Sequence, residues 1–198
     1  MTSTPAPAAT PGRARSGGTS GRDAQTPLDS VLQVPRAAVV IRACTVTPID
    51  GHRHPVLAAA AGLATQHRQR AEAHQLACDP FAEDHVVAAA TRSVNAAETA
   101  SAVLVEQIDQ WTLTALPDNR TCVLHTETFG HLIDRLIRAW ARWPLLDAMD
   151  DLTGRERARQ ALDQVSELSI SYDDLVADLL TGRRRLPRHQ NPAGPFAA

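Results

Sequence analysis

Apolar residues recur at alternating steps of three and four from about residue 54 to residue 186, which is the period of α-helices buried on one side. The first predicted helix starts at His54, and Pro55 suits its first turn. Its predicted inner seam is rich in alanine: Leu57, Ala60, Ala64, His67, Ala71, His74 and Cys78. A second helix is expected where Asp79 can cap and Pro80 can take the first position. Its inner line is Val87, Ala90, Val94, Ala97, Ser101, Leu104, Ile108 and Trp111.

Two more helices are predicted after a Pro, Asp and Asn break near residue 118. We expect Pro144 to interrupt the third helix. The fourth opens with Thr153 and Glu156, which have the spacing of a capping box, and Gly182 is a natural stop. The sequence therefore predicts an all-α, up-down bundle of about four long helices in a single domain, residues 54–186.

The two ends of the chain do not follow this pattern. Residues 1–30 are rich in Pro, Gly, Ser, Thr and Ala, and we expect a disordered tail because such a segment buries too little apolar surface. Residues 31–53 contain β-branched residues between prolines, and a short strand, a short helix and an extended arm are all compatible with them. Residues 187–198 are expected to form a loose C-terminal tail.

Composition narrows the classes of function. The 20 basic residues, all of them arginine, nearly balance the 22 acidic ones. The net charge of the chain therefore does not favour binding to nucleic acid or to a membrane surface. The arginines at 183–185 and Arg188 also lack interleaved aromatic residues that could stack on bases. Three widely spaced cysteines indicate neither a disulfide framework nor a zinc knuckle. We expect a cytoplasmic protein, since no long apolar run or secretory signal is present.

The third predicted helix carries a charged stripe. Thr126 or Thr128 can cap it, and its apolar stripe is Phe129, Leu132, Ile133, Leu136, Trp140 and Trp143. On the opposite side, within about 60° of one another, lie four polar residues: Glu127, His131, Asp134 and Arg138. They form either an exposed ladder of weak pairs or a site covered by another segment or a second subunit. In a covered site, Glu127 and Asp134 could act as acid and base or bind a cation, and Arg135 could hold an anion.

Histidines mark the first predicted helix. His67 and His74 lie two turns apart on its inner seam, with Cys78 one turn further on. Each histidine could be a core residue bonded to a neighbouring carboxylate, a group that acts on substrate, or a metal ligand. No Glu-x-x-His occurs on two helices, which argues against a di-iron bundle.

An acidic stripe on the second predicted helix contains Glu98, Glu106 and Asp109. Carboxylates on adjacent helices can hold magnesium, and the Glu106 to Asp109 spacing is one ingredient of such a site. The first helix offers only Glu72 as a partner, and a solvated face explains the stripe equally simply. A divalent cation therefore stays one possibility, and the sequence identifies no cofactor.

The stretch "TETFGHLIDRL", residues 126–136, resembles the bacterial helical family catalogued as domain of unknown function 4254. Seven residues match the family pattern TET-x-G-x-x-x-DRL: Thr126, Glu127, Thr128, Gly130, Asp134, Arg135 and Leu136. Glu106 and Asp109 match an acidic pair of the family, and the resemblance covers residues 54–190. On the first helix this chain differs, with His67, Arg70, Ala71, His74 and Gln75 where the family has N-x-x-L-W-x-x-E-D.

These patterns lead to two hypotheses of different classes. The first is a small helical-bundle enzyme that acts on a polar or anionic metabolite of specialised metabolism. Its catalytic residues would be Glu127, Asp134 and His74, and its substrate-binding residues would be Arg135, Glu106, Asp109, His67 and His131. The second is a non-catalytic homodimeric bundle that binds a partner protein through the same polar stripe. Neither hypothesis involves nucleic acid or a membrane.

Overall fold

Five α-helices make up most of the computed structural model, which describes residues 34–45, 54–116, 121–149 and 151–188. In chain order they are α1 Ala37–Thr45, α2 Pro55–Ala77, α3 Asp84–Ala115, α4 Phe129–Asp147 and α5 Leu152–Leu180. The predicted all-α class is confirmed, and α1 is a short addition to the four long helices. The expectations for residues 1–30 and 189–198 lie outside the described ranges.

Helix α4 lies at the centre of the packing, because it contacts every other helix described. Its apolar stripe reaches the core, where Phe129, Ile133 and Leu136 are fully buried. Tyr172 of α5 packs on Phe129 with ring centroids 5.3 Å apart. Burying each large apolar side chain stabilises the fold by about 1.5–3 kcal/mol, so this central stripe holds the helices together.

The segment before the bundle is a helix where the structure describes it. The Tyr172 hydroxyl donates to the Pro35 carbonyl at 2.8 Å, and the Asp173 carboxylate accepts the first helical N–H, that of Ala37, at 2.9 Å. Val40 is fully buried. Among the three alternatives for this segment, the structure therefore supports the short helix at residues 37–45, and α5 supplies its N-terminal cap.

Three predicted helix boundaries were wrong. Helix α3 starts at Asp84 rather than at Pro80, since Asp79 accepts the N–H of Phe81 and closes a turn of its own. Asp151, not Thr153, caps α5 by accepting the N–H of Gly154. Helix α4 continues through Pro144 to Asp147. Proline lacks the backbone N–H that would donate one helical hydrogen bond, but the residues after it can still form theirs.

The structure agrees with the predicted inner line of α3 throughout but with that of α2 only in part. The eight positions of the α3 line are all buried or half-buried, as predicted. The α2 seam holds from Leu57 to Ala71 but fails at its end, where His74 and Cys78 are exposed. Leu76 and Phe81 nearby are exposed as well, so little covers this end of α2.

The C-terminal end of α5 turns back toward α4. Gly182 has a φ of 68°, which confirms the predicted stop because glycine adopts this conformation without strain. The short strand β2, Arg184–Arg185, then pairs in parallel with β1, Val123–Leu124. Leu186 packs against the core, and Arg188 follows at the wall of a cavity between the helices.

Candidate functional site

A cavity of about 470 Å³ lies between α2, α3 and α4. Five of the residues predicted to form a site line it: His67 from α2, Glu106 and Asp109 from α3, and His131 and Asp134 from α4. The fold thus brings together side chains that are far apart in sequence. The volume lies within the range of about 300–1,000 Å³ that small-molecule sites occupy.

Helices α2 and α3 of the same chain pack against part of the charged stripe of α4. Of the two alternatives, an exposed ladder or a site covered by another segment or a second subunit, Asp134 fits cover by another segment, whereas Arg138 stays exposed. Asp134 is only 7% exposed. A single apolar stripe does not reveal which segment covers the other side, because a helix at the centre of a bundle has partners on more than one side.

Asp134 forms the best-defined ion pair of the cavity. One carboxylate oxygen lies 2.8 Å from Nε2 of buried His67, and the other accepts from Arg138 at 2.8 Å. Burial raises the pKa of Asp134, but the hydrogen bonds and charges of His67 and Arg138 outweigh burial and lower the pKa below its usual value. Asp134 is therefore held in its ionised form, and His67 has its second ring nitrogen, Nδ1, left for other partners.

Asp109 lies in a different environment on the facing helix. Burial raises its pKa above the usual value, assisted by the charge of Glu106, while hydrogen bonds from the Gly130 N–H and the Thr128 hydroxyl act in the opposite direction. The Gly130 N–H donates to Asp109 at 2.7 Å. A β-carbon at position 130 would lie 2.5 Å from the Val105 carbonyl oxygen, so glycine is required for this close approach of α4 to α3.

His131 is linked to Asp109 through Thr128. Thr128, not Thr126, caps α4, and its hydroxyl oxygen lies 2.8 Å from Nδ1 of His131. A hydroxyl has one hydrogen to donate, and Thr128 donates it to the ionised Asp109 carboxylate. The same oxygen must then accept from Nδ1–H of His131, which leaves Nε2 of a neutral ring unprotonated. The cavity wall thus contains an imidazole whose tautomer is fixed by its neighbours.

Three predicted site residues lie outside this cavity's lining. Glu127 and Arg135 pair with each other at 2.8 Å, and neither lines the cavity. The Glu127 N–H also donates to Nδ1 of His125 at 3.2 Å, which fixes the turn before α4. His74 is exposed near Cys78, with Nε2 3.7 Å from the sulfur, and it lines a smaller neighbouring cavity.

Sequence reasoning gave no site role to two residues that line these cavities, Arg70 and Arg142, or to Thr128, which contacts the cavity residue His131. Thr128 was assigned only a capping role, although its hydroxyl also joins His131 to Asp109. Arg70 donates to Glu98 at 2.9 Å at the cavity edge, and Arg142 lines the neighbouring cavity. Spacing on α2 and α4 could have identified both arginines, since they lie one helical turn from His67 and Arg138 respectively.

Within residues 34–45, 54–116, 121–149 and 151–188, no three His, Cys, Asp or Glu side chains converge closely enough to hold a metal ion. None of the helices in these ranges has the length and apolarity needed to cross a membrane.

The fold and the cavity define an all-α bundle in which two pairings of a histidine with a carboxylate line one cavity. The family described as "Protein of unknown function (DUF4254)" matches residues 59–187, more than half of the chain, and the chain belongs to that family. Searches of curated proteins and of solved structures find no match to this chain.

Proposed function

We propose that this protein is an enzyme that transfers a proton on a small polar metabolite bound in the cavity between α2, α3 and α4. One observation carries the proposal: two histidines, each coupled to a buried or half-buried carboxylate, line the same cavity. General acid–base catalysis requires groups of this kind within reach of one substrate. The proposal includes a cytoplasmic location and a substrate from specialised metabolism.

In the proposed mechanism, His131 is the catalytic base. Thr128 and Asp109 fix its tautomer, so that Nε2 is free to accept a proton from the substrate. The Asp109 carboxylate stabilises the imidazolium that results, because opposite charges attract each other at short range. Thr128 and Asp109 are positioning residues in this scheme, since they act through the histidine.

His67 is the second proton carrier that we propose. Its Nε2 lies 2.8 Å from the ionised Asp134 carboxylate, which orients the ring so that His67 can pass a proton to the substrate. Asp134 keeps the role of an essential carboxylate in this scheme, acting through His67. Glu127 and Arg135 receive no catalytic role, because they pair with each other away from the cavity.

The alternative, a homodimer that binds a partner protein through the polar stripe, has less support from the geometry. An interface needs side chains that a partner can contact, but Asp134 is 7% exposed and lies under α2 and α3. Burial of Asp134, the central carboxylate of the stripe, therefore favours a small-molecule site over a docking surface.

Exchange of substrate hydrogen with solvent tests the proposal. The purified full-length protein is incubated in D2O with pools of small organic acids and phosphate esters, and mass spectrometry detects substrates that gain deuterium. We expect exchange with the wild type and a loss of about 100-fold or more with His131→Gln, the size typical of removing a general base. His85→Gln is the matched control, because His85 is exposed on α3 away from the cavity.

Two results would contradict the proposal. One is the absence of exchange and of any product in every pool. The other is exchange by the His131→Gln variant at the wild-type rate, which would show that this imidazole does not carry the proton.

A further inference from the structure

A second cavity, of about 320 Å³, lies beside the first between α2 and α4. Four residues of each helix line it, and both sets follow the i, i+3, i+4, i+7 spacing of one helical face. Ala71 on α2 and Ala141 on α4 are among them. Their methyl side chains leave a gap that larger residues would fill, so the cavity results from small residues on two packed faces.

The two cavities differ in charge. Within the described ranges, the charged or titratable residues that line the second one are arginines and histidines: His67, Arg70, His74, Arg138 and Arg142. The first has a mixed lining, with four carboxylates beside three arginines: Glu98, Glu106, Asp109, Asp134, Arg70, Arg138 and Arg188. The second cavity is therefore the more favourable of the two for an anionic group.

Ion pairs form the border between the two cavities. Arg70 donates to Glu98 at 2.9 Å, and Arg138 donates to Asp134 at 2.8 Å. Both arginines and His67 line the two cavities, so the cavities adjoin each other at these side chains. A bound molecule that extended from one cavity into the other would pass beside the His67 and Asp134 pair.

Arg142 differs from the two border arginines. Within the part of the chain that the structure describes, it makes no ion pair or side-chain hydrogen bond, although it lines the second cavity. A guanidinium presents a planar fork of N–H donors that binds the two oxygens of a carboxylate or phosphoryl group together. Arg142 is therefore the arginine whose donors are available to a ligand.

We propose that the second cavity binds the anionic group, a carboxylate or a phosphoryl group, of the molecule whose proton is transferred in the first cavity. The inference rests on the proposed function and adds a substrate class: organic acids or phosphate esters of a few carbon atoms. Arg142 binds the anion, His74 assists it, and the chain carbons lie against Ala71, Ala141 and Leu145. The reacting end then reaches His67 and His131 in the first cavity.

Anion titrations test this site without any chemistry. Inorganic phosphate and malonate are added to the full-length protein, and the arginine side-chain Nε–H signals are followed by NMR. We expect a saturable change at Arg142 with at least one probe. The Arg142→Gln variant should bind that probe about tenfold or more weakly, as expected for loss of a hydrogen bond to a charged group. Ala71→Leu should also weaken binding, because it fills the cavity.

The matched control is Arg157→Gln, which removes the same charge from an exposed position on α5. It should leave probe affinity unchanged. Preference for phosphate or for malonate identifies the anionic group, and either preference supports the site. A linear response to both probes, or equal weakening in Arg142→Gln and Arg157→Gln, overturns the inference.

Different experimental results would overturn the proposed function and the anion site. His131→Gln should retain probe binding, since His131 lies in the first cavity only. Normal probe binding with no effect of His131→Gln on deuterium exchange overturns the proposed function alone. Normal exchange with no probe binding overturns the anion site alone.

Discussion

Replacing Asp134 by alanine is the most direct test of the site geometry. The change leaves Nε2 of buried His67 without its partner, which costs about 1–3 kcal/mol. It also removes the pair with Arg138, which contributes less than about 1 kcal/mol because the arginine side chain is 59% exposed. We therefore expect the free energy of unfolding to fall by about 1–4 kcal/mol, or Tm to fall by roughly 2–16 °C in a chain of this size.

Urea unfolding at neutral pH, followed by circular dichroism, measures this loss, and Asp163→Ala is the matched control. Asp163 is exposed on α5, so its substitution should change stability by less than about 0.5 kcal/mol. The effect has a defined pH dependence. The folded-state pKa of Asp134 is lowered, so its stabilisation is present above the unfolded-state pKa and is lost as pH falls through the folded-state pKa.

Two measurements would refute this reasoning. If Asp134→Ala destabilised the protein no more than Asp163→Ala, the buried pair would not form as described. If the difference between wild type and Asp134→Ala grew as the pH was lowered toward the folded-state pKa, the carboxylate would not be stabilised in its ionised form.

The other predictions concern the contact between α3 and α4. Gly130→Ala should lower the free energy of unfolding by about 1–3 kcal/mol, because the added β-carbon would contact backbone atoms. Gly62→Ala should cost less, because the added β-carbon would contact the flexible Leu104 side chain. Urea titration compares the two variants. Thr128→Val should lose about 1 kcal/mol of capping, and Thr128→Ser should retain it, by the same assay. Carbon-13 NMR should show that the pKa of Asp109 is raised. Ionising this carboxylate then disfavours the folded state, so the stability of Asp109→Asn should increase relative to that of the wild type as pH rises through the raised pKa.

The helices were predictable because their signals are local. Spacing of three and four located the buried line of α3 from Val87 to Trp111, and Gly182 ended α5 through its own backbone conformation. Caps were less predictable, because several residues near each start can accept an N–H. Asp151 and Thr153 both qualify by type, and only the folded geometry shows that Asp151 caps α5.

The site was partly predictable for a related reason. Periodicity located Glu106, Asp109, His131 and Asp134 on helix faces, but it could not show that they line one cavity or that α2 and α3 cover Asp134. That cover depends on contacts between residues far apart in sequence, such as His67 with Asp134. Residues 37–45 were ambiguous for the same reason, because their helical cap comes from Asp173 on α5.

Small residues decide where this bundle keeps internal space. The alanines of α2 let α3 pack closely along most of its length, and Leu63 fills the core beside them. Near the C-terminal half of α2 the facing residues are Ala71 and Ala141, flanked by arginines whose charged ends avoid the apolar core. Close packing therefore ends where the charged residues begin, and the two cavities follow from that change in residue type.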